Sequence, residues 1–108
     1  MIIVKLTEGE IVQRIKEEME KRGVKRACIL GGIGYVKDVI LGYFTGKDYV
    51  KEFLKGPFEL LSANGYFEDD KVHLHVVLGD MNYRAIGGHL ISAKVAHLFQ
   101  FSFEEVPE

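Results

Sequence analysis

The chain has 108 residues, of which 47% are hydrophobic and 28% charged, with a formal net charge of −2. This length suits one domain, residues 1–108, with a single core, and the balance is that of a folded globular protein rather than a disordered one. No apolar stretch approaches the ~20 residues of a membrane-spanning helix, no secretory leader opens the chain, and the basic excess that draws a surface to duplex phosphates is missing, so a cytoplasmic protein with no membrane partner is expected.

Met1 to Leu6 reads as a short apolar edge strand. Thr7-Glu8-Gly9-Glu10 has the spacing of a capping box and predicts a helix starting at Thr7. Ile11, Ile15 and Met19 recur every four residues, with Val12 beside them and Arg14, Lys16, Glu17, Glu18 and Lys21 opposite, so the helix is amphipathic. Gly23 is placed to end it in a left-handed conformation. Lys21 to Arg26 is the one dense basic cluster, and a helix C-terminus favours such cations.

Beyond Val24 the periodicity changes to short β-type runs: Arg26 to Leu30, Val36 to Phe44, Val50 to Leu54, Phe58 to Phe67, Val72 to Leu78 and Val95 to Phe103. Turn-forming residues separate them, including Thr45-Gly46-Lys47-Asp48, Lys55-Gly56-Pro57 and Glu68-Asp69-Asp70-Lys71. Gly31-Gly32-Ile33-Gly34 lacks the Gly-Lys-Ser/Thr ending of a phosphate loop and is expected to be a tight turn. One helix with six or seven hairpin-linked strands predicts an α+β domain with a mainly antiparallel sheet. In the last strand Val95, His97, Phe99, Phe101 and Phe103 share a face, which the helix, another sheet layer or a neighbouring subunit must cover.

The residues that carry chemistry are few. Cys28 is the single cysteine and, within Ala27-Cys28-Ile29-Leu30, is expected to be a small buried hydrophobe. His73 and His75 lie two apart on a strand and therefore share a face, and His89 after Gly87-Gly88 can return alongside them. Such a trio can hold a divalent transition metal such as zinc, or form a hydrogen-bonded polar cluster without one. Glu59 lies in an apolar strand and, if buried, needs a partner such as Arg84 or a histidine. No nucleophile elbow, Ser-His-Asp order or catalytic carboxylate pair is evident, so the sequence gives little support for an enzyme. Asn and Gln number two each against abundant Lys and Glu, a balance that leans toward a thermophilic source.

Together Phe58-Glu59-Leu60-Leu61-Ser62-Ala63-Asn64-Gly65, His73-Leu74-His75-Val76-Val77-Leu78-Gly79-Asp80 and Gly87-Gly88-His89-Leu90 resemble the plant and prokaryote conserved (PPC) domain. Gly32-Ile33-Gly34 and Leu41-Gly42-Tyr43-Phe44 fit the same family, so the resemblance covers nearly the whole chain. It implies an α+β domain that assembles as a homotrimer and makes contacts with a protein partner or small ligand. Members are often labelled as DNA-binding, but the Arg-Gly-Arg-Pro hook of the plant arrangement does not occur in this sequence. The histidine pattern is also similar to that of acetolactate decarboxylase, whose zinc is held by three histidines. That similarity implies His73, His75 and His89 as ligands, with Glu59 and Arg84 as candidates for proton transfer and carboxylate binding on a small carboxylated substrate.

Overall fold

The structure is a computed structural model that describes residues 1–107. Its elements are β1 (Ile2–Leu6), α1 (Ile11–Lys21), β2 (Arg26–Phe44), β3 (Tyr49–Leu54), β4 (Phe58–Glu68), β5 (Lys71–Gly79) and β6 (Ala85–Glu105). All strand pairings are antiparallel. Their order is β1-β6-β5-β4-β2-β3, and a further pairing of β6 with β2 closes the sheet on itself. Closure leaves one side of β2, β4, β5 and β6 inside and the other outside, which is why their side chains alternate between buried and exposed.

The helix begins three residues later than the capping-box spacing predicts. Glu10, not Thr7, is its N-cap, and the Glu10 carboxylate accepts from the Val12 and Gln13 amides at 2.9 Å each. The same carboxylate accepts from the Ala93 amide of β6 at 3.1 Å. A carboxylate at that position satisfies orphan helix donors and docks α1 on the sheet together, which Thr7 cannot do. Ile11, Ile15 and Met19 are buried against the sheet, as the four-residue stripe predicts, and Gly23 ends the helix at φ +69.

Arg26 to Leu30 and Val36 to Phe44 are one strand rather than two, and Gly31-Gly32-Ile33-Gly34 is not a turn but the middle of β2. The reason is close approach: a Cβ on Gly34 would stand 2.1 Å from the Leu98 carbonyl oxygen, and one on Gly32 2.9 Å from the Ala63 Cβ. The glycines let β2 run between β4 and β6 at a bulged crossing where the register shifts. Strand alternation here also corrects the reading of Cys28, which is exposed, because Ala27 and Ile29 take the inward positions.

Phe99, Phe101 and Phe103 are buried and stack in series, with ring centres 5.6 and 6.2 Å apart. The chain's own helix and closed sheet cover that face. His97 does not belong to it: β2 advances from Gly34 to Val36 while β6 advances from Phe99 to Val95, and the extra β6 residues turn His97 outward beside Tyr35.

Candidate functional site

The β5 sequence alternates Leu74, Val76 and Leu78 inward with His73, His75 and Val77 outward. Its two ends are fixed by different turns. At the first, Asp69 and Asp70 both take positive φ between the paired Glu68 and Lys71, the backbone of a tight two-residue hairpin. At the second, one carboxylate oxygen of Asp80 accepts from the Asn82 amide at 2.8 Å and the Arg84 amide at 2.9 Å, while the Asp80 amide donates to the Arg84 carbonyl at 3.0 Å. This turn sets Gly79 opposite Ala85, and counting back along both strands sets His75 opposite His89.

The outer surface therefore carries a transverse row in which each residue is the register partner of the next: Asn64 on β4, His75 on β5, His89 on β6, Gly42 on β2 and Lys51 on β3. The His75 and His89 rings meet edge to face, with centres 5.8 Å apart and planes at 80°. His73 occupies the same face one pair away and lies on the Tyr66 ring, centres 4.7 Å apart. His89 is half-buried, whereas His73 and His75 are exposed. Burial holds the His89 imidazole below the ordinary value for histidine, and the charges of His75 and then His73 push the same way.

Two of the three expected ligands are thus brought together and the third is close by, but among the described residues no three His, Cys, Asp or Glu side chains form a ready-made ligand group. The donor chemistry suits a borderline metal. Two imidazoles on one zinc, each bonded at about 2.0–2.1 Å, have ring centres roughly 5 Å apart, so the observed pair needs a small adjustment. His73 must leave Tyr66 to join them.

Glu59 and Arg84 are not brought to the histidines within the chain. Glu59 is exposed and pairs with Gly79, four residues from His75 along β5 and so about 13 Å away. Its outward position removes the need for a buried partner. Arg84 is exposed in the turn after β5. The residues that sequence reasoning missed are Tyr66 and Tyr49, whose rings touch His73 and His89; Gly79-Asp80 reads as turn material in the sequence, and what that reading missed is the Asp80 carboxylate that sets the register. The Asp-x-Asn spacing of that turn is visible in the sequence; the aromatic contacts depend on strand order and are not.

The profile of the Plants and Prokaryotes Conserved (PCC) domain matches residues 1–106. Among solved structures, the chain is similar to a plant- and prokaryote-conserved protein of Pyrococcus horikoshii, with 33% identity, a TM-score of 0.88, and coverage of 99% of this chain and 79% of that one. It is also similar to a protein of Archaeoglobus fulgidus described as metal-containing, with 33% identity, a TM-score of 0.85, and coverage of 99% and 80%. A third structure, from Bacteroides thetaiotaomicron and provisionally named a DNA-binding protein, is 27% identical over 98% of this chain and 78% of its own, with a TM-score of 0.87. No curated protein matches the chain with significance.

Proposed function

The chain belongs to the Plants and Prokaryotes Conserved domain family, and on that premise we propose that it is a cytoplasmic homotrimeric binding and assembly module. The observation that carries this reading is an outward apolar patch in the middle of the sheet. Leu30, Ile33, Tyr35 and Leu61 are each between 45% and 57% exposed, and Ile33, Tyr35 and Leu61 line one shallow groove with Leu98. They sit on β2 and β4, strands whose backbones are paired on both sides. An apolar patch in such a position favours burial against another protein surface. Sedimentation velocity at micromolar concentration tests the proposal: a species of three times the chain mass is expected, and a stable monomer overturns it.

A second reading rests on the His75 and His89 pair. We propose that this pair, with His73, holds a divalent transition metal, zinc or a near relative, and the metal-containing description of the Archaeoglobus fulgidus protein supports it. A bound metal would supply Lewis-acid polarisation of a small carboxylated ligand. The chain's own part is to present neutral imidazoles, with Asn64 and Lys51 as further polar groups along the row. Glu59 and Arg84 lie away from the pair within one chain, so the reading is of metal binding. Elemental analysis and Zn(II) titration test it: His75→Ala should abolish uptake while leaving the oligomer intact, and unchanged uptake in that variant overturns it.

The provisional DNA-binding name of a relative extends to this chain only through the family. With a net charge of −2, the counterion-release term that dominates duplex affinity is weak, and direct duplex binding is not proposed.

A further inference from the structure

Between His89 on β6 and Lys51 on β3 the outer row passes through Gly42, which has no side chain to fill the surface. Neighbours occupy the gap. A Cβ at position 42 would stand 2.8 Å from Ile91 Cδ1 and 3.2 Å from Tyr49 Cδ1. Tyr49 begins β3 opposite Phe44, and its ring lies 5.2 Å from the Phe44 ring on one side and 5.8 Å from His89 on the other, tilted at 41° to the imidazole. His89 therefore has an aromatic ring on each flank, His75 from β5 and Tyr49 from β3.

We infer that Tyr49 is a positioning residue of the histidine site: seated over Gly42, its ring holds the His89 imidazole toward His75 and keeps water from that flank. The inference rests on the metal reading given above. A histidine on an open strand face samples several staggered side-chain rotamers, and a ligand already confined to one loses less entropy on binding metal. The apolar shell around a metal site also governs solvent access and affinity. Both effects need the ring of Tyr49 and neither needs its hydroxyl. Gly42 is the second half of the device, because any side chain there would displace Tyr49 or Ile91.

The test is Co(II) titration of the full chain, followed by visible absorption and by competition with a chelator, for the unmodified protein, Tyr49→Phe, Tyr49→Ala and Gly42→Ala. Tyr49→Phe should bind as the unmodified protein does. Tyr49→Ala should bind about 10-fold more weakly, at the lower end of effects for residues that support metal ligands, with an altered visible band. Gly42→Ala should move in the same direction if circular dichroism shows it folded; if it does not fold, the two Tyr49 variants decide. Equal affinity and spectrum in Tyr49→Ala, or an equal loss in Tyr49→Phe, overturns the role of the ring while leaving the metal site standing. Absence of uptake by the unmodified protein overturns the metal reading itself and the role of Tyr49 with it.

Discussion

His75 and His89 face each other across β5 and β6 with their rings at 80°, and only His89 is half-buried. Two imidazoles in that arrangement resist carrying charge together, and the buried one gives up its proton more readily.

His89 should accordingly titrate below the ordinary value of 6.5 in the folded protein. The unfolded chain then takes up this proton first as pH falls. The stabilising contribution is complete above about 6.5 and is lost as pH drops through the folded-state value. Urea midpoints should fall on acidification below that pH, and less so in His89→Ala. In an NMR titration His75→Ala should raise the His89 value, since one of its causes is removed; no change would show that His75 contributes nothing and leave burial and His73 to set it.

Asp80 should matter to the histidines although it does not touch them. Asp80→Ala removes the one carboxylate oxygen that accepts from the Asn82 and Arg84 amides, at a cost of about 1–2 kcal/mol. Because that turn sets the register of β5 and β6, cross-strand NMR contacts between His75 and His89 should weaken, while those between His73 and Tyr66 persist.

Glu10 caps the helix through two of its amides and ties it to β6 through a third, that of Ala93. Glu10→Ala leaves the Val12, Gln13 and Ala93 donors without their carboxylate, and the expected loss is about 2 kcal/mol, or roughly 10 °C in Tm. Thr7→Ala should cost far less, because Thr7 caps nothing. Thermal melts of the two variants side by side check the difference.

Charge placed in the outward patch should break the proposed trimer without unfolding the chain. Ile33→Asp and Leu61→Asp alter positions that are already half-exposed, so the isolated fold should lose little stability. Sedimentation should show the species shifting toward monomer. A trimer that survives both substitutions places its interface elsewhere on the molecule.

Periodicity alone determined much of this protein. The four-residue stripe of α1, the terminating Gly23, the edge position of β1, the Asp69-Asp70 hairpin and the shared face of His73 and His75 all follow from local chain geometry. These features depend on near neighbours in sequence, so a pattern can be read without knowing what lies across the sheet.

Only the tertiary structure decided the rest. Gly31 to Gly34 carry turn-forming residues, yet β4 and β6 flank them and leave no room for a side chain at Gly32 and Gly34, so the same glycines extend a strand. A bulge opposite Gly34 to Val36 moved His97 off the phenylalanine face, and another at Leu61 set both Leu61 and Ser62 outward. The pairing of His75 with His89 needed the Asp80 turn, and the ring of Tyr49 reaches His89 only because β2 lies between β3 and β6. Register, bulges and strand order are set by packing between residues far apart in the chain, and no local pattern records them.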